Sequence, residues 1–190
     1  SLSTLTFGNK LRSIGIGAFS YCSKLNSIDL PISLESLGDN AFSYCKGLKR
    51  INIPGSLEEI LLRSFFGCSN LVNIKFAEGN RFIGKYTFMD CESLEELRLP
   101  QGLVRIGAGA FKNCISLKKV FIPYGTRFIG KYAFSNNLAL EYIYLPDTIE
   151  HIGRFVFLGC PNIKGIYCSN RMVRRIFLGS FDYDIELSFE

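Results

Sequence analysis

The stretch Ile106-Gly-Ala-Gly-Ala-Phe111-Lys-Asn-Cys114-Ile-Ser-Leu117-Lys-Lys-Val120-Phe-Ile122-Pro123 decides how the chain is read, because its pattern returns every 23 residues. Isoleucine or leucine stands at 14, 37, 60, 83, 106, 129 and 152. Phenylalanine stands at 19, 42, 65, 88, 111, 134 and 157. A third column is Cys22, Cys45, Cys68, Cys91 and Cys114, then Asn137, then Cys160. A fixed period in this range marks a solenoid, in which one coil buries little alone and stacked coils share a core. Such a molecule works by displaying a long surface rather than by closing a pocket over a reaction.

The unit is Ile-Gly-x-x-Ala-Phe-x-x-Cys-x-x-Leu-x-x-Ile-x-Leu-Pro-x-x-Leu-x-x. Its Ile-x-Leu part, as in Ile28-Asp29-Leu30, alternates at period 2 and predicts a short strand. Pro31, Pro54, Pro100, Pro123 and Pro146 follow and end it, since proline cannot donate to a ladder. A second extended piece leads into Ile-Gly. The Ala-Phe-x-x-Cys segment is too short for an α-helix and predicts a tight turn or a 3₁₀ turn. The expected fold is a repeat solenoid of short parallel strands, mainly β and irregular.

Apolar residues make up 47% of the 190 and charged residues 21%, which suits a packed core and argues against disorder. No stretch approaches the ~18 consecutive apolar residues of a membrane span, so no membrane insertion is expected. The first residues, Ser1-Leu-Ser-Thr-Leu-Thr-Phe7, lack a basic region and a long apolar run, so no signal peptide is read there. The net charge of +5 is mild and serves solubility. Nucleic-acid recognition needs a basic face interleaved with aromatics. The one dense basic run is Arg171-Met-Val-Arg174-Arg175 and charges elsewhere alternate in sign, so no nucleic-acid partner is expected.

Six of the seven cysteines hold one repeat position, and the only histidine is His151, read as solvated on a turn. Zinc-ligand spacing is missing, so neither metal nor cofactor is expected. Coils about 4.8 Å apart would bring neighbouring cysteines near disulfide geometry. Asn137 nevertheless replaces one rung, and five consecutive rungs cannot pair evenly. The cysteines read as buried thiols with a packing and weak hydrogen-bonding role. No Ser/His/Asp or Cys/His set converges, and Gly107-Ala-Gly109 belongs to the repeat, so the chain is expected not to be an enzyme.

The array is read as residues 1–168, a partial first repeat followed by seven units. Residues 169–190, with Ile176, Phe181 and Leu187, read as a degenerate last repeat or C-terminal cap. The chain starts inside a repeat at Leu2, as a fragment of something longer would. An uncapped N-terminal coil could self-associate as an open sheet edge does.

With Leu-x-x-Ile-x-Leu-Pro and Ile-Gly-x-x-Ala-Phe-x-x-Cys in place, the chain resembles the BspA-like leucine-rich repeats over roughly residues 1–168. Leu61 in place of glycine, Ser64, Thr87 and Val156 in place of alanine, and Phe76-Ala-Glu without proline are local departures. The resemblance implies a right-handed, curved leucine-rich-repeat array. It also implies a cell-surface or secreted location in bacteria or parasitic protists, and adhesion to a protein ligand of a host or another cell. A passive stalk presenting another domain is the alternative.

In such an array the outward strand positions line the concave face. They are Ser27 and Asp29, Arg50 and Asn52, Asn73 and Lys75, Glu96 and Arg98, Lys119 and Phe121, Tyr142 and Tyr144, and Gly165 and Tyr167. The last strands gather Phe121, Tyr142, Tyr144 and Tyr167 beside Lys119 and Arg98. Exposed aromatics flanked by cations have the composition of interaction hot spots, and these six residues form the candidate partner-binding site. The rings could equally form a purely structural cross-strand ladder. Arg81-Phe-Ile-Gly-Lys-Tyr86-Thr-Phe88 recurs almost unchanged as Arg127-Phe-Ile-Gly-Lys-Tyr132-Ala-Phe134, which reads as a two-repeat duplication or as a pair of Lys/Tyr clusters on the convex side.

Overall fold

The computed structural model describes residues 3–168. The expected closing unit at 169–190 and the basic run at 171–175 lie outside them. Each coil carries one long and one short strand. The long strands are Ser27–Asp29, Arg50–Ile53, Asn73–Phe76, Glu96–Arg98, Lys119–Phe121, Tyr142–Tyr144 and Gly165–Tyr167. The short ones are Ser13–Ile14, Ser36–Leu37, Glu59–Ile60, Phe82–Ile83, Arg105–Ile106, Phe128–Ile129 and His151–Ile152. All pairing is parallel, and each residue faces its equivalent in the next coil, as Val120 faces Ile143. This is the solenoid that the 23-residue period predicts. His151 lies in a strand and not on a turn, because the short strand extends back one residue from the isoleucine column.

The Ala-Phe-x-x-Cys segment resolves to tight turns among the described residues, without a 3₁₀ helix. Two columns in it adopt a left-handed backbone. One runs through Gly17, Asn40, Arg63, Tyr86, Gly109, Tyr132 and Phe155, the other through Tyr21, Tyr44, Gly67, Asp90, Asn113, Asn136 and Gly159. Each left-handed residue is third in a turn, as Gly17 is where Ala18 N–H donates to Gly15 C=O at 3.3 Å. The alternation aims every second N–H along the stack. Asn40, Phe42 and Tyr44 donate to Leu62, Ser64 and Phe66 at 3.0, 2.8 and 2.6 Å. Equivalent triplets join the other coils, so the turn face is a hydrogen-bonded ladder built without strands.

Inside, Phe19 to Phe157 form one stack with centroids 5.1 to 5.8 Å apart and planes within 10° of parallel. Leucines and isoleucines of the strands fill the other side, fully buried in most coils. The column thiols donate to phenylalanine carbonyls of the preceding coil, Cys45 to Phe19 at 3.1 Å and Cys160 to Phe134 at 3.2 Å. Burial pushes both thiols up to about 12. Asn137 sits in the same column, fully buried, with neither its Oδ1 nor its Nδ2 hydrogen-bonded.

Both strand columns are interrupted once. No pairing joins Ser36–Leu37 to Glu59–Ile60. That gap lies where Leu61 takes the glycine position. Elsewhere this glycine sits so close to the previous coil that a Cβ at Gly107 would lie 2.5 Å from the Gly84 carbonyl carbon. The long strands break between Asn73–Phe76 and Glu96–Arg98, next to the turn that lacks proline. The turn-face ladder crosses both gaps.

Candidate partner-binding site

The outward positions of the long strands sit where period-2 alternation places them. Lys119 and Phe121 are exposed on either side of buried Val120, and Tyr142 and Tyr144 are half-buried around Ile143. Gly165 is the exception. It was expected to face outward, but it is buried, because the Tyr167 ring folds back to within 3.3 Å of where its Cβ would be.

Parallel register stacks the aromatic residues. Phe121 and Tyr144 have centroids 4.2 Å apart and planes at 8°, and Tyr144 and Tyr167 follow at 4.6 Å and 8°. Tyr142 leans toward Tyr167 at 6.4 Å and 33°. The ammonium of Lys119 lies 5.5 Å from the centroid of Tyr142, within cation–π range. Arg98 is the rung beside Phe121 and is paired with Glu96 at 3.7 Å, both side chains being exposed. The six residues singled out from the sequence thus form one contiguous surface.

The stack ends at Phe121, which is 53% exposed. A cleft of about 350 Å³ opens beside it, lined by Glu96, Arg98, Lys118 and Lys119 among others. Lys118 and Glu95, which also line the cleft, escape a reading confined to outward strand positions, because each precedes its strand. Glu141 follows Lys118 in the same column, one coil on. Lys164 donates to it at 2.8 Å and holds its carboxyl below the usual range, with Lys119 and Lys118 adding to the effect. The N-terminal half of the face is polar, with an Asn52 amide donating to Asp29 across one coil.

The second motif of the sequence is resolved differently. Tyr86 and Tyr132 occupy the first left-handed column of the turn face. Their cations come from the preceding coil. Arg63 lies 5.4 Å from the Tyr86 ring and Lys112 5.5 Å from that of Tyr132.

A parallel solenoid with a turn-face ladder and two columns of short parallel strands has the architecture of a leucine-rich-repeat array. The family model described as BspA type leucine rich repeat region matches residues 1–91 and 81–188, in six copies. The chain belongs to that family. Three solved structures share the fold. A leucine rich cell surface protein from Faecalibacterium prausnitzii A2-165 aligns with TM-score 0.66 and 23% identity, over 97% of this chain and 64% of that one. A leucine-rich repeat protein from Bacteroides ovatus ATCC 8483 aligns with TM-score 0.51 and 28% identity, over 84% and 53%. The pneumococcal vaccine antigen PcpA aligns with TM-score 0.61 and 20% identity, over 95% and 60%. The chain therefore spans less than two thirds of the length of these three proteins. No curated protein matches it.

Proposed function

We propose that the chain is a protein-interaction or adhesion module of a cell-surface or secreted leucine-rich-repeat protein, docking its partner on the long-strand face. The observation that carries this is the stack of Phe121, Tyr144 and Tyr167, flanked by Lys119 and Arg98 at the surface. Aromatic rings present large area with little conformational entropy to lose, and cations at their edge steer and orient a partner. The family membership and the likeness to the Faecalibacterium cell surface protein support the surface location. The chemistry is that of binding and not of turnover. Burial raises the column thiols and keeps them protonated, and exposed His151 heads a short strand in register with Phe128.

The test is capture of host cell-surface proteins on the immobilised chain, repeated with Tyr142→Ala plus Tyr144→Ala. The reading requires captured partners that the double variant loses while it still folds and melts in one cooperative transition. Capture that survives the double variant refutes the site. The alternative, a passive stalk, is favoured by the mutual stacking of the rings, which a purely structural ladder would also show. It requires that the 190 residues capture nothing.

A further inference from the structure

The outward residues of the short strands make a second surface. A groove of about 640 Å³ runs along the stack from Glu59 to His151. One wall is the strand column Glu59, Phe82, Arg105, Phe128 and His151, each facing the next in register. The floor is the half-exposed backbone of Gly84, Gly107 and Gly130. The other wall is the residue after each glycine, Lys85 and then Ala108, with exposed Lys131 next in that column. The duplicated motif thus places two identical Phe/Lys rungs two coils apart, with an Arg/Ala rung between them.

The cations alternate between the walls. On the first rung the charge is Lys85, opposite Phe82. On the second it is Arg105, on the strand wall opposite Ala108. On the third it is Lys131, opposite Phe128. None of the three forms an ion pair among the described residues. Arg105 is instead held 5.1 Å from the Phe128 ring. The rungs repeat about every 4.8 Å, close to the length of one sugar in an extended chain. A flat two-fold ribbon of β-1,4-linked uronic acids turns each sugar over relative to the last. Its carboxylates therefore emerge on alternate edges, one per sugar. Each carboxylate would meet a cation and each apolar CH edge a phenylalanine or alanine. Glu59 stands on the strand wall one rung before Phe82, where the next carboxylate would fall, and its charge ends the site.

We propose that this groove binds an acidic polysaccharide of the flat polyuronate kind, one sugar per coil over the three rungs from Phe82 to Phe128. A polyanion with charges on one edge, or a buckled one, does not fit the alternation. A nucleic-acid strand carries its phosphates along one edge and fails in the same way, and an extended acidic peptide alternates its side chains but repeats every ~3.4 Å, out of step with the rungs.

The test is calorimetry of the whole chain with hexameric β-1,4-mannuronate. The comparators are a neutral β-1,4-glucan of equal length, hexameric α-1,4-guluronate with the same charge but a buckled shape, oligoglutamate and oligothymidylate. The expected result is saturable binding to the mannuronate alone. Phe82→Ser with Phe128→Ser should abolish it, and these variants should fold, because Ser13 and Ser36 hold the same column natively. Lys85→Ala, copying Ala108, should weaken binding about fivefold, an exposed ion pair's usual effect. Glu59→Lys should tighten binding of an octamer. No binding overturns the proposal. So does equal binding of guluronate, oligoglutamate or oligothymidylate, and so does affinity indifferent to the two serine substitutions.

Discussion

The ring of Tyr144 lies between those of Phe121 and Tyr167, at 4.2 and 4.6 Å, so both of its faces are used within the chain. Phe121 has a ring neighbour on one side only and is more than half exposed. Truncating the two should therefore separate stability from binding. Tyr144→Ala should cost about 1–2 kcal/mol of stability, and Phe121→Ala less than about 1 kcal/mol. Urea denaturation of each variant checks the order. A larger loss for Phe121 would mean that the stack is held from its exposed end.

Asn137 leaves two polar atoms unpaired in the core, where the other rungs place a thiol donating to a phenylalanine carbonyl. Asn137→Cys removes the unpaired amide and restores the repeat. It should raise stability by about 1–3 kcal/mol, the usual cost of an unsatisfied buried polar group. A melting temperature unchanged or lowered by the substitution contradicts this account.

The same thiols set an alkaline limit. Cys45 and Cys160 are raised from the usual 9.0 to about 12 by burial. Below pH 9 both the folded and unfolded chains keep these protons, and the contribution to stability is fully present. Above it the unfolded chain releases protons that the folded one retains, so stability falls as pH climbs from 9 toward 12. Denaturation midpoints between pH 8 and 11 should decline, and less steeply in a Cys45→Ala, Cys160→Ala variant.

Phe88 is stacked on both sides, touched edge-on by Phe76 and fully buried. Phe88→Ala should cost about 3–5 kcal/mol through lost transfer energy and the cavity left behind. Calorimetry should show the transition lowered well below that of any surface variant.

Asn136 has a left-handed backbone at φ 58° and donates to Asn113 at 3.0 Å, which donates to Asp90 at 2.6 Å. Asn136→Val adds a branched Cβ in that conformation and should cost about 1–2 kcal/mol more than Asn136→Gly. Equal melting temperatures for the two would show that the turn relaxes.

The parts of the fold that repeat in side-chain chemistry were legible. The Phe19–Phe157 stack, the thiol column and the inward Ile-x-Leu residues each carry one residue type at one phase. The two left-handed columns were harder to see. Gly, Asn and Asp at 17, 40, 67, 90, 109, 113, 136 and 159 signal them, but Tyr21, Tyr44, Arg63, Tyr86, Tyr132 and Phe155 interrupt the signal. Neighbouring coils hold those residues in a conformation that they rarely adopt alone. The aromatic surface was legible because alternation within a strand and the repeat between strands both point its side chains outward. Gly165 was misplaced because alternation gives a direction and says nothing of a ring folding back over it. The groove along the short strands escaped because two-residue strands carry too little alternation to mark a face.

The turn-face ladder has a mechanical consequence. Its bonds lie along the stack, so a pull between the two ends loads them directly. At most junctions the strands share that load. Between Leu37 and Ile60, and between Phe76 and Glu96, one strand column is missing. A tether stretched between surfaces would part first at these two junctions, leaving the four coils that carry the aromatic surface as a single piece.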